Sequence, residues 1–402
     1  MVFILSPILS TEETADPGVI YVLAMVVPTV IYAIANAYIR ITSYNLFAIL
    51  LWVSAILSTL VGPLGSFNLT AVKYLILVLY FVSVSSYSYS KNDLIKITKA
   101  CVAVSIGLAT LIILSYFGGY AHNDSIYFMS RYSIGITGIY KNPNYLVSFM
   151  NFTLFLLLYS TLYGRYEKKI RLVINLSIIC LFLAAFYFTG TRASLITAFI
   201  VITILVVHYL LHHNRKLWVV VPVCLVIALF VAYWNTIMDL YDLFMGSRDL
   251  MGDTSREDAW TLAYKYIKEN PIIGCGLFAW DNVCKSGDFL EWLHNIYLEL
   301  ILNQGFIGFT IFLLMLFSGA NRIKKEDKFF VYMLLFVTGF PIMFQNGLIA
   351  VNLWRFIIIN RIVFNFSIRN KEGLIKKSSI NKYVQNGNCR SLNSKTIKYR
   401  SI

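Results

Sequence analysis

The sequence predicts an all-α, polytopic membrane bundle of about 11 spans with one long loop that contains short helices. Three observations carry this. The chain is 58% hydrophobic and only 13% charged, with a mean hydropathy of +0.69. Its apolar runs repeatedly reach the roughly 20 residues that a helix needs to cross the hydrocarbon layer. Its Lys and Arg residues gather in alternate short loops rather than spreading along the chain. That distribution also rejects a nucleic-acid reading of the +14 net charge, because no continuous basic face forms.

In chain order, the apolar runs place spans at 18–39, 44–62, 69–90, 99–118, 143–163, 171–190, 193–211, 217–237, 293–317, 329–348 and 350–368. Residues 1–368 form a single membrane domain, and 369–402 form a basic, Lys-, Ser- and Asn-rich tail expected to be disordered. Met1 to Leu9 is short, lacks a basic flank and runs into acids, so it does not read as a signal peptide. Arg355 and Arg361 fall in the last span, where charge is costly unless it faces protein or water.

One set of loops holds Arg40; Lys91, Lys96 and Lys99; Arg165 to Arg171; Arg215 and Lys216; and Arg322 to Lys328. The tail falls on the same side. The positive-inside rule puts that side in the cytoplasm and the loop 238–292 outside. Cys101, Cys180 and Cys224 lie in apolar runs and read as small packing residues. Cys275 and Cys284 lie in the long loop and could pair in an oxidising compartment. No metal-ligand spacing appears.

The long loop is the one extended polar interruption in an apolar chain, and loops of that length usually have a task. Ser255 and Asp258 resemble a helix start, with Ala259, Trp260, Ala263, Tyr266 and Ile267 following at helical spacing. Asn270-Pro271 stops that helix, and Gly274-Cys275-Gly276 permits a tight turn. Arg256 then stands at a helix N-terminus, where free amides, the dipole and a guanidinium suit an anion; a solvated surface Arg gives the same pattern. Thr189-Gly190-Thr191-Arg192-Ala193-Ser194 joins two apolar runs with almost no room, which holds Arg192 near the outer interface, where an Arg can also simply reach the headgroups. Asn142 caps a helix whose first position is Pro143, with Asn144 next; capping alone accounts for these. His294 opens a span, with Tyr297 and Ile301 on its face. Asn295, Glu299 and Asn303 form an adjacent polar stripe that suggests a cavity opening outward.

In order along the chain, Gly138 with Asn142-Pro143-Asn144, Thr189 to Ser194, Ser255-Arg256 with Trp260, Asn270-Pro271 through Gly276, and His294-Asn295-Ile296-Tyr297 followed by Gln304-Gly305 and Gly308 resemble the O-antigen ligase and polymerase superfamily of bacterial membrane glycosyltransferases. The resemblance covers about 135–310. It implies a GT-C-like helical fold and a glycan donor carried on undecaprenyl diphosphate. The implied transfer is metal-independent and uses no cofactor. Arg192 and Arg256 match the arginines that would stabilise the leaving diphosphate, and His294 matches the candidate base or diphosphate-binding cation. Asn142, Asn144, Trp260, Asn295, Tyr297 and Glu299 are candidates for substrate binding. Family members often have about a dozen spans and a cytoplasmic N-terminus, whereas this chain reads as eleven with the N-terminus outside.

The implied activity is O-antigen polymerase, since members with similar tails belong to polysaccharide assembly. The alternatives are a ligase that moves polymer onto lipid A–core and a flippase for the same lipid-linked glycan. The implied partners are the lipid-linked donor, the acceptor glycan, membrane lipids and a chain-length regulator.

Overall fold

A computed structural model describes residues 26–36, 39, 42–67, 69–122, 131–132, 134–137, 143–163, 169–212, 253–286, 293–343, 353–354 and 356–368. Twelve α-helices stand among them. They are α1 (Val26–Ala35), α2 (Ser43–Val61), α3 (Leu69–Ser86), α4 (Lys91–Phe117), α5 (Pro143–Tyr163), α6 (Lys169–Phe188), α7 (Arg192–His212), α8 (Asp253–Glu269), α9 (Ala279–Ser286), α10 (Ile296–Phe317), α11 (Lys325–Ile342) and α12 (Phe356–Ile368). Every expected span holds one of these helices except 217–237, which lies outside the described residues. Five helices are long and apolar enough to cross a membrane: those at Ser43–Val61, Lys91–Phe117, Leu146–Tyr163, Ala193–His212 and Ile296–Arg322. Four more apolar helices are shorter. Large apolar side chains face outward, as in a bundle solvated by lipid: Leu60, Phe199 and Leu211 are all more than half exposed.

The all-α expectation meets one small exception. After α4, Ala121–His122 and Arg131–Tyr132 form a two-residue antiparallel pair, β1 and β2. A 3-10 turn at Gly135–Thr137 follows it and is tied to α4 where the Ile136 amide donates to Ser115 Oγ at 3.1 Å.

Several boundaries moved for identifiable reasons. α4 starts at Lys91 rather than 99, because Ser90 and Asp93 form a reciprocal capping box: the Asp93 amide donates to Ser90 Oγ at 3.2 Å, and the Ser90 amide to the Asp93 carboxylate at 2.9 Å. α8 starts at Asp253, so Ser255 lies inside its first turn and is not the cap. α10 starts at Ile296, after an Asn295 cap. Cys180 is exposed rather than packed; Cys101 is buried as expected. Cys275 and Cys284 are separate thiols.

Packing gives the bundle two distinct ends. α5 and α7 run parallel, since Tyr163 near the end of one meets His208 near the end of the other at 2.6 Å. α11 runs antiparallel to both: Phe330 stacks on Phe155, and Phe329 on His208. α10 runs antiparallel to α11, with the Tyr297 hydroxyl donating to the Gly339 carbonyl at 2.9 Å, and antiparallel to α2, with Ser43 beside Ser318. The N-terminal ends of α5, α7 and α10 therefore share one end of the bundle. The basic connections around Lys91, Lys169 and Arg322 to Lys328 share the other.

The buried charge in α12 resolves as expected for a protein-facing Arg. Arg361 donates through Nη1 to the Ser318 carbonyl that ends α10, at 2.8 Å, and its guanidinium lies 3.4 Å from the centre of the Tyr44 ring. Tyr74, Phe81 and Trp354 form an aromatic knot at the centre of the bundle.

Candidate active site

The site end is built on a break in α10. Gly305 adopts φ 63°, ψ −169°, a conformation open to glycine, and the helix parts there. Backbone groups freed in a membrane helix must find partners nearby. They find them in the turn 270–276. The Cys275 and Gly276 amides donate to the Leu302 and Asn303 carbonyls at 2.7 and 3.0 Å. The Phe306 and Ile307 amides donate to the Pro271 and Ile272 carbonyls at 2.9 and 3.2 Å. This close approach needs glycine on both sides: a Cβ at Gly305 would strike the Ile272 carbonyl, and one at Gly274 would strike the Gly305 amide.

The same turn is tied to α2. The Leu64 amide donates to the Cys275 carbonyl at 3.1 Å, and Thr59 Oγ1 accepts from the Leu277 amide at 3.0 Å. Asn282 donates to the Leu64 carbonyl at 2.6 Å, and Ser58 Oγ donates to the Asn303 carbonyl. One turn deeper, Ser54 donates to Gln304 at 2.7 Å, and Gln304 donates to the Tyr74 hydroxyl at 3.3 Å. The motif pieces Gly274-Cys275-Gly276 and Gln304-Gly305 are thus two halves of one junction. Ser54, Ser58 and Thr59, which sequence reading missed, brace it across separations of 218 to 250 residues. No local pattern announces them. Burial pushes the Cys275 thiol pKa up, and that of Cys284 as well, so neither is an activated nucleophile.

His294 sits at the mouth of this assembly, held on both sides. Before it, the Leu293 carbonyl accepts from Trp260 Nε1 at 2.7 Å, and Leu293 is buried with Ala259, Ala263 and Trp280. After it, Asn295 caps α10, its side-chain oxygen accepting from the Tyr297 and Leu298 amides, each at 3.1 Å. Between these anchors His294 takes φ 45°, an uncommon value that a non-glycine residue holds only where its surroundings insist. His294 therefore precedes α10 and does not share a helical face with Tyr297 and Ile301, which corrects the expectation of a continuous span from 293. It is partly exposed, beside the positive end of the α10 dipole.

The other expected residues separate into three groups. Trp260 and Asn295 hold the His294 turn, and Tyr297 anchors α10 to α11 through Gly339. Arg256 lies one turn before Trp260 in α8, and Glu299, partly exposed, lies in the first turn of α10. Arg192 begins α7 at the same end of the bundle. The Thr189-Gly190 turn enters it, with Gly190 at φ 59° and Thr189 and Thr191 hydroxyls 3.0 Å apart and buried. Asn144 stands near the start of α5 at this end, while Asn142 and Gly138 lie outside the described residues. The expected polar stripe does not run straight: Asn295 is spent on capping, and Asn303 is buried in the break. Below Asn144 on α5, Ser148 and Asn151 are buried, and the Asn151 amide group has no partner among the described residues.

The arrangement gathers positive helix ends, two arginine positions and one histidine position at one end of an apolar bundle. That chemistry suits an anionic leaving group and a proton acceptor. Among the described residues, no three His, Cys, Asp or Glu side chains gather closely enough to hold a metal ion. Compared with curated proteins and with solved structures, the chain finds no match. Residues 176–313, from within α6 through the His294 turn and past the break in α10, match the family model Wzy_C, O-Antigen ligase.

Proposed function

We propose that this chain is an O-antigen polymerase, or the polymerase of a related surface polysaccharide, working on undecaprenyl-diphosphate-linked repeat units at the periplasmic face of the inner membrane. The observation that carries the reading is the His294 turn, anchored on both sides and standing with Arg192 and Arg256 at the bundle end opposite the basic connections. In the reaction, an acceptor sugar hydroxyl attacks the anomeric carbon of the donor glycan. The new glycosidic C–O bond forms as the anomeric C–O bond to the diphosphate breaks. The diphosphate departs with the electron pair, and the hydroxyl proton passes to the His294 imidazole. Arg192 and Arg256 stabilise the developing negative charge without a metal. Trp260 and Asn295 act as positioning residues. The basic end faces the cytoplasm in this reading.

The match to a family model described as O-Antigen ligase favours a second reading, in which the same donor chemistry delivers polymer to lipid A–core. A lipopolysaccharide gel from a strain lacking the gene separates them. Core with a single repeat and no ladder supports polymerase; bare core with polymer retained on the carrier lipid supports ligase. His294→Ala, Arg192→Ala and Arg256→Ala, each expressed at normal level, should reproduce the deletion. Wild-type glycan from all three would remove the catalytic assignment, and glycan left untransported in the cytoplasm would favour the flippase. A reporter fused after Asp249 tests orientation: cytoplasmic-type activity there inverts it.

A further inference from the structure

At the basic end, far from the His294 turn, α4, α5, α11 and α12 part around an open cleft of about 300 Å³. Its size falls at the lower end of the roughly 300–1,000 Å³ range of small-molecule pockets. The walls are apolar, with Ile97, Phe152, Leu156, Phe330, Ile362 and Phe366 prominent. Its polar members are Thr98, Lys324, Asp327 and Ser367.

The charges at this end are unequal in number: Lys91, Lys96, Arg322, Lys324, Lys325 and Lys328 stand against Asp93, Glu326 and Asp327. Asp93 accepts from the Ser90 amide and hydroxyl, and Asp327 accepts from Ser367 Oγ at 2.6 Å. Lys324 is partly buried at the cleft, while Arg322 and Lys325 beside it are exposed, as are Lys91 and Lys96 on α4 at the same end. An apolar slot in a lipid-solvated bundle, with cations outnumbering acids beside it, fits a molecule with a hydrocarbon tail and a negative head. Lipid tails are as apolar as these walls, so the tail gains little by leaving the bilayer and selection falls to the headgroup.

We propose that this cleft holds one acyl chain of an anionic glycerophospholipid, with its phosphate beside Lys324. The site is separate from the proposed transfer chemistry and does not depend on it.

The test uses the full-length protein in vesicles of phosphatidylglycerol and phosphatidylcholine, each doped in turn with an acyl-diazirine version of one lipid, followed by peptide mapping after illumination. Label from the phosphatidylglycerol probe should concentrate on the cleft stretches of α5 and α12, and Leu156→Trp should remove it. Lys324→Ala should lower the preference for phosphatidylglycerol about fivefold, at about 1 kcal/mol per lysine near the membrane surface, with an unchanged melting temperature as the control for folding. Label spread evenly over outward-facing positions such as Leu60 and Phe199 would overturn the proposal. So would equal labelling of the cleft by both probes. Cleft label that appears only when the chain is cut after Ile368 would also overturn it, assigning the cleft to the chain's own tail.

Discussion

Gly305→Ala puts the junction between the turn 270–276 and α10 to a direct test. The broken helix exchanges four backbone hydrogen bonds with that turn, through the amides of Cys275, Gly276, Phe306 and Ile307. An alanine at this position has two courses. It can keep φ 63°, ψ −169° at a strain of about 1–3 kcal/mol and push its Cβ against the Ile272 carbonyl. Or it can straighten the helix and release the four bonds, at about 1 kcal/mol each. Either course destabilises the junction by roughly 2–4 kcal/mol. The readout is already in the chain: Cys275 is buried at the centre of the junction, and that burial pushes its thiol pKa up. In a protein retaining Cys275 as its sole cysteine, maleimide labelling of intact membranes should be slow when Gly305 is kept. It should rise at least tenfold in the Gly305→Ala variant, alongside a lower melting temperature. Unchanged labelling and unchanged melting would refute the claim that the turn and the break complete each other.

Three further outcomes follow from the same geometry. Trp260→Phe keeps the ring packing and removes one hydrogen bond to Leu293, so stability should fall by about 1 kcal/mol while glycan transfer falls severalfold more than expression; equal loss of both would assign Trp260 to packing alone. Asn295→Ala removes the cap of α10 and should cost about 1 kcal/mol in thermal unfolding, with Asn295→Asp restoring most of it. The Cys275 and Cys284 thiols are raised above the ordinary value by burial, so the folded chain keeps protons that the unfolded chain releases. Their contribution to stability is full below the unfolded thiol pKa and declines as pH rises through the folded one. Melting curves taken through the alkaline range should therefore shift downward, less so in a Cys275→Ala, Cys284→Ala variant.

The membrane character of the chain was legible because it rests on composition and run length, which need no partner. The segregation of Lys and Arg was legible too, and the bundle places the basic connections at one end. So was a helix through Trp260 that stops before Pro271, whose buried Ala259, Ala263 and Ile267 recur at helical spacing, although its start lies at Asp253 rather than after Ser255. The capping box at Ser90 is equally local, but it lies ahead of the hydrophobic run that sets the expected span.

Tertiary structure alone decided three things. It placed His294 before α10 at a positive φ, because the neighbouring anchors come from Trp260, whose bond to Leu293 spans 33 positions of the chain, and from a cap that had read as part of a stripe. It broke α10 at Gly305, which hydropathy reads as one continuous span, because the partners that make the break tolerable lie in the 270–276 turn. It set Ser54, Ser58 and Thr59 of α2 against that junction, although they are remote from it in the chain. The physical reason is common to all three. Periodicity and composition report how a segment meets lipid or water, whereas a backbone group's choice of partner depends on which distant segment arrives beside it.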